Sequence, residues 1–455
     1  MKQTYDFPSK GFDLHRGALT FQWLDLMKLV KKYGSPLKIT YLPKVAHQIK
    51  YAKDLFDKAI HKHNYHGKYT YTYCTKSSHF SFILNKAIDS GAQLEISSAY
   101  DILLIRKLYS EKRIDKSILV ICNGYKSLNY LENIVSLWKE GFKNIVVVLD
   151  NQDEIDKLEK LVDEGIFKIG IRIATEEEPK FEQYTSRLGM SAKDVVKFYK
   201  THIKKKKKFQ LVMMHFFINS KVKDNAYYRS ELSRLVEVYC DLKYECKTLE
   251  FLDIGGGFPI CTALDMEYDY EYMIDQIVWS IQHICDANDI DTPNIISEFW
   301  SYTVGESWAI IYKVIGTKQQ NEKEKWYMIN SSFITTLPDT RWIGQKFIML
   351  PLNLWNKPYG NVNLGWITCD SDDYYDKDNK WNQIILPEYG KEEDLYIGFF
   401  HTGAYQESIG GYGGIQHCLI PAPKHVIIDE IGGKQTIHEF APEQDAEQML
   451  KILWY

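Results

Sequence analysis

The chain has 455 residues, 45% of them hydrophobic and 25% charged, enough for a large core but long for one domain of the usual roughly 100–200 residues. Its 56 Lys and Arg against 60 Asp and Glu give a formal net charge of −4, so it lacks the global field that gathers nucleic acid or anionic membrane, and we expect neither as a partner. No stretch approaches the roughly 18 apolar residues of a spanning helix. The opening MKQTYDFPSKGFDLHRG has no apolar signal core, and the 8 Cys are scattered without a CxxC pair, which points away from a zinc ribbon or disulfide framework and towards a reducing cytoplasm.

In chain order, FQWLDLMKLVKKYGSPLKITYLP (21–43) reads as a helix closed by Gly34 and then a strand. We take 1–43 as an N-terminal helix and strand, the strand joining a β domain further on. From about Gln48 to Ile311 short Val-, Ile- and Tyr-rich runs alternate with helical patterns: YTYTYCTK, FILNKAIDSG, QLEISS, DILLIRKLYSEK, SILVICNG, YLENIVSLWKEG, NIVVVLD, EIDKLEKLVDEG and FKIGIRIA. That is the rhythm of a parallel sheet, and its length suits a closed (β/α)8 barrel over 44–312. The run Lys204 to Lys208 reads as a solvated loop. After Lys313 the pattern changes to aromatic, Pro-containing runs such as FIMLPLNLW, LGWITCDSDD and HVIIDE, which predict an antiparallel β domain over 313–455.

A barrel of this kind carries its chemistry where the βα loops gather, at the C-terminal strand ends. Lys76, Glu95, Asn123, Arg172, His215, Gly255 to Gly257 and Glu298 occupy such positions. A lysine, a glycine-rich turn and a carboxylate on three different strands supply what pyridoxal phosphate (PLP) needs: an amine for its aldehyde, backbone amides for its phosphate, and an anion for its ring nitrogen. Taken alone, GGGFP reads equally well as a tight strand-to-helix turn.

The ordered set YCTKSS, QLEISSAYDI, ICNGYK, IRIATEEE, MHFFINS, LDIGGGFP, SEFWS, ITCDSDD and GFFHTGAYQE resembles the fold-type III, alanine-racemase-like decarboxylases of basic amino acids. Within them it is most similar to biosynthetic arginine decarboxylases. The resemblance implies PLP held by Lys76 with Glu298 at the pyridine nitrogen. Ser220, Gly255, Gly256, Gly257 and Tyr405 would bind the phosphate, while Glu95, Arg172, His215 and Phe217 would surround the cofactor. Cys369 would return the proton after CO2 leaves, and Asp370, with Asp372 and Asp339 as further candidates, would meet the substrate's cationic end. The family shares its sites across a homodimer, and a higher oligomer is compatible with the resemblance. Arginine, giving agmatine for polyamine synthesis, is the first expected substrate; ornithine, lysine, diaminopimelate and carboxynorspermidine are the alternatives. We expect no resident metal ligand set, although the resemblance allows assistance by Mg2+.

The chain departs from the family pattern at Phe217, where the family has a His, at Asn219, where it has a Gly, and at Trp300-Ser301, where it has Gly-Arg. An aromatic ring at 217 can still stack on a cofactor. Losing the Arg removes a charge-assisted phosphate bond, which predicts a weaker hold on the phosphate. A rival reading follows: an impaired homologue that regulates a decarboxylase through mixed dimers. A racemase is the third, disfavoured by the ITCDSDD turn.

Overall fold

A computed structural model describes residue 7 and residues 11–175, 187–218, 225–322, 324–375, 384–390 and 393–455. Two compact units emerge: Val45–Pro259 with Tyr268–Thr303, and Met1–Lys44 with Ile260–Glu267 and Val304–Tyr455.

The first unit is a closed barrel. Its strands are β1 (Tyr69–Cys74), β2 (Gln93–Ile96), β3 (Val120–Cys122), β4 (Ile145–Leu149), β5 (Phe167–Ile173), β6 (Phe209–Phe216), β7 (Phe251–Asp253) and β8 (Asn294–Phe299). They run parallel and in sequence order around the barrel, β8 closing on β1. Helices cover the outside, so strands such as Ile145–Leu149 are buried along their whole length, which is why they read as continuous apolar runs rather than alternating ones. The helix Leu128–Lys139 shows the local logic: the Ser127 side chain caps its first turn by accepting from Tyr130 N, and Leu131, Ile134, Val135 and Trp138 recur on its buried face. Inside the barrel, Ile121, Val146, Val148, Met213 and Ile296 form an apolar plug.

The second unit is built on a ten-stranded sheet. The strand Leu37–Tyr41, all five residues buried, lies in this sheet between Trp308–Gln319, antiparallel to it, and Lys424–Ile431, parallel to it. Successive residues of Trp308–Gln319 serve opposite faces. Ala309 and Ile311 join one apolar cluster, whereas Ile310, Tyr312 and Val314 join the other, as the period of two requires. This sheet unit resumes at Val304, ahead of the change in composition near Lys313; residues 308–312, buried on both faces, look like a barrel strand in sequence.

Most pairs in the sheet are antiparallel, as expected. Parallel pairs also occur, between Leu37–Tyr41 and Lys424–Ile428 and between Trp326–Met328 and Asn363–Gly365. A small three-stranded sheet, Phe12–His15, Ala18–Phe21 and Leu24–Asp25, adds to the single helix and strand expected over 1–43. Phe12, Leu19 and Phe21 anchor it in the same cluster as Trp355 and Phe400. Among the described residues no helix is long and apolar enough to cross a membrane.

Candidate active site

The alternation of strands builds the barrel's polar mouth directly on its plug. Two residues beyond the plug-lining Ile121, Val148, Met213 and Ile296 come Asn123, Asp150, His215 and Glu298. Asp253 stands in the same relation to Phe251, which packs against the plug. Side chains two apart share a face, so every one of these strands turns a polar group inward one step above the apolar layer. All five of these groups are buried.

Glu298 is the centre of this layer. Its Oε1 accepts from Asn123 Nδ2 at 2.6 Å, and its Oε2 lies 3.2 Å from His215 Nε2. Burial alone would raise its pKa, but the His215 charge first, then Lys76 and a bond with Asp253, hold it down at about 2. Asp253 behaves in the opposite way. Burial, then the charge of Glu298, raise its carboxyl well above the usual range, and its Oδ1 accepts the Gly255 amide at 2.9 Å. The two carboxyls therefore split into one anion and one neutral acid.

Lys76 sits in the turn Thr75–Ser77 that leaves β1. Its Nζ donates to Glu95 Oε2 at 2.6 Å; the Glu95 side chain is fully buried and that of Lys76 is 34% exposed. The amine also lies 5.9 Å from the centre of the Trp300 ring. Trp300 packs edge-on against Phe217, ring centres 4.9 Å apart. Arg172 lies on β5 opposite His215 on β6.

The glycine turn follows β7. Gly255 and Gly257 take φ of +65° and +106°, a region L side chains rarely enter. A Cβ on Gly256 would stand 2.2 Å from Glu298 O and 2.8 Å from the Trp300 ring. Gly256 is thus required by the close passage of β8 and its Trp. The turn does not open a helix; the next one begins at Tyr270. Ser220 and Asn219 lie outside the described residues.

The mouth fits a pyridoxal ring. Asn123 Oδ1 and His215 Nδ1 are buried without a hydrogen-bond partner, an arrangement that costs about 1–3 kcal/mol for each group unless something else fills the site. Beside them stand a primary amine and a strongly acidic carboxyl, the donor set that a cofactor aldehyde and a basic ring nitrogen require.

In the sheet unit, Cys369, Asp370 and Asp372 occupy the loop after strand Tyr359–Gly365 rather than a strand. Asp373 pins this loop from inside, accepting from Phe333 N at 2.9 Å and Thr368 Oγ1 at 2.6 Å. Cys369 is exposed. Asp370 Oδ1 accepts from Asp372 N at 2.8 Å, and Asp372 pairs with Arg341 at 3.0 Å. Asp339, by contrast, is buried and accepts from Gln406 Nε2 at 2.9 Å, so one side of its carboxylate serves the fold. Tyr405 precedes the short helix Gln406–Gly410 at a φ of +67°.

Sequence reading missed three polar groups. Asp253 and Asp150 follow from the period-two rule once the plug is known, and Asp150 Oδ1 accepts the Gly189 amide at 2.9 Å. Lys126 had no such signal. It is fully buried, its Nζ donating to Gly124 O at 2.7 Å and to Val148 O, with Glu154 Oε2 at 3.3 Å, and it ties the Asn123 loop to β4.

The chain is similar to known proteins over most of its length. A biosynthetic arginine decarboxylase of Prochlorococcus marinus (strain AS9601) is 27% identical over 564 aligned positions, which take in 95% of this chain and 85% of that protein. An arginine decarboxylase of Glycine max is 23% identical over 93% of this chain and 76% of its own length. The 564 aligned positions exceed this chain's 455 residues, so the Prochlorococcus protein carries segments absent here. Among solved structures, the biosynthetic arginine decarboxylase of Campylobacter jejuni superposes with a TM-score of 0.83 at 17% identity, covering 99% of this chain and 90% of that one. A diaminopimelate decarboxylase from M. jannaschii in complex with L-lysine gives 0.79 at 17% identity, with 98% of each chain covered. Residues 47–305 match the family model for the pyridoxal-binding domain of pyridoxal-dependent decarboxylases; this covers more than half of the chain, which belongs to the pyridoxal-dependent decarboxylase family.

Proposed function

We propose that the chain is a PLP-dependent carboxy-lyase acting on a basic L-amino acid, arginine first, to give agmatine and CO2. The observation that carries this reading is the pair of groups at the barrel mouth, Lys76 with its amine 2.6 Å from buried Glu95 and Glu298, buried and held anionic at a pKa of about 2. The names of its relatives favour arginine.

When bound, PLP supplies an aldehyde that captures amines and a protonated ring that accepts the electron pair left as CO2 departs. Lys76 would hold the cofactor, and Glu95, 2.6 Å away, orients the amine. Glu298 would keep a proton on the ring nitrogen, with Asn123 and His215 fixing both of its oxygens. Asp253, neutral, adds no second negative charge beside it. The amides of Gly255 and Gly257, with Tyr405 and Ser220, would bind the phosphate, and Phe217 and Arg172 would flank the ring. Cys369 would hold the proton delivered to the substrate carbon. Asp370, and Asp372 with it, would receive the cationic end of the substrate by charge-assisted bonds.

We further propose a homodimer in which Cys369 and Asp370 of one subunit complete the other's site, working in a reducing cytoplasm that keeps the thiol free. Release of labelled CO2 from carboxyl-labelled arginine by the pure protein with added PLP tests the reading. Ornithine, lysine, diaminopimelate and carboxynorspermidine run in parallel assign the substrate. No release from any of the five would reject it in favour of a regulatory homologue, a reading to which the position of Trp300 over Gly256 lends support.

A further inference from the structure

We propose that Cys369, Cys418 and His417 form a binding site for a thiophilic divalent cation, Zn2+ foremost, and that metal held there withdraws the Cys369 thiol from catalysis. The second half rests on the role given to Cys369 above; the first does not. Ligand atoms of the three residues all lie within 4.8 Å of one another, and each residue is exposed. The two Sγ atoms are 3.4 Å apart. Tetrahedral zinc with Zn–S bonds of about 2.3 Å sets its sulfurs roughly 3.8 Å apart, so a small rotation of either side chain creates the correct edge. A disulfide at about 2.05 Å would demand a far larger movement.

Two neighbouring features support a cation. Asp370 Oδ2 lies 3.9 Å from His417 Nε2, too far for a hydrogen bond but near enough to add negative charge beside a cation bound there. Cys418 and Leu419 take φ of +55° and +53°. Two successive L residues in the left-handed region cost of order 1 kcal/mol or more each, and here the strained turn presents the Cys418 thiol to Cys369. Coordination converts both thiols to thiolates, releasing two protons to solvent with no electron transfer. Three protein ligands leave a fourth position open, which suits reversible occupation rather than a closed structural centre.

Cobalt titration of the full chain, fully reduced with a phosphine, tests the site. We expect one Co2+ per chain with a thiolate-to-cobalt charge-transfer band, displacement by Zn2+, and loss of the band with at least tenfold weaker binding in Cys418→Ser and His417→Ala. In the CO2-release assay Zn2+ should inhibit the parent chain, whereas Cys418→Ser, with unchanged basal activity, should resist. A reduced chain without the band, or a band that persists in Cys418→Ser, overturns the site. Equal inhibition of both proteins overturns the regulatory half. A chain that binds Co2+ as expected but releases no CO2 would retain the metal site and lose the decarboxylase reading instead.

Discussion

Replacing Asp253 by Asn should make the protein progressively more stable than the parent as pH rises. The carboxyl is fully buried and its pKa is raised well above the usual 3.8 by burial and by the Glu298 charge. Folding therefore takes up a proton whenever the solution pH exceeds the unfolded value. The stability tied to that proton is fully present below about pH 3.8 and is lost as pH climbs towards the folded value, at about 1.4 kcal/mol per pH unit. Asn keeps the shape, an acceptor for the Gly255 amide and a donor facing Glu298, but has no proton to take up. Glu298 has the opposite sign: its contribution is present above pH 4.5 and lost as pH falls towards about 2, so above pH 5 it is common to both proteins. Urea unfolding at pH 5, 6, 7 and 8 should show the difference, variant minus parent, growing by about 1.4 kcal/mol for each unit over which Asp253 stays protonated in the fold. A flat difference, or one that falls with pH, would refute the division of the two carboxyls into one acid and one anion.

Restoring the family pair with Trp300→Gly and Ser301→Arg should tighten PLP binding about ten- to a hundredfold, since a guanidinium–phosphate contact contributes about 1.5–3 kcal/mol. Absorbance titration of the apoprotein with PLP would show it, and equal or weaker binding would count against the phosphate being placed at the glycine turn. Lys126→Met should lower stability by about 3–5 kcal/mol by stranding the buried Glu154 carboxylate, while adding Glu154→Gln should recover a large part of the loss. If urea unfolding shows less than about 1 kcal/mol for the single variant, Lys126 is not the tie between the Asn123 loop and β4.

The barrel was legible because most of its strands are short apolar runs, such as Ile145–Leu149 and Phe167–Ile173, followed by a helical pattern, a rhythm few other folds produce. The ligand-bearing ends were legible for a related reason: a Lys, Glu or His ending an apolar run is conspicuous. Asp253 was passed over because the glycines beside it drew the reading to the turn. Lys126 was passed over because a buried lysine depends on carbonyls from other strands, Gly124 O and Val148 O, that no local pattern reveals. The mixed direction of the sheet was hidden for the same reason, since pairing Leu37–Tyr41 with Lys424–Ile428 joins segments nearly four hundred residues apart. His417 matches no motif in the sequence; only folding brings it near Cys369 and Cys418.

Borohydride reduction of the PLP-loaded protein, followed by peptide mapping, identifies the lysine that carries the cofactor. One pyridoxyl group per chain is expected, on Lys76, and none in Lys76→Ala. A pyridoxyl group on another lysine, or no label at saturating PLP, would contradict the role given to Lys76.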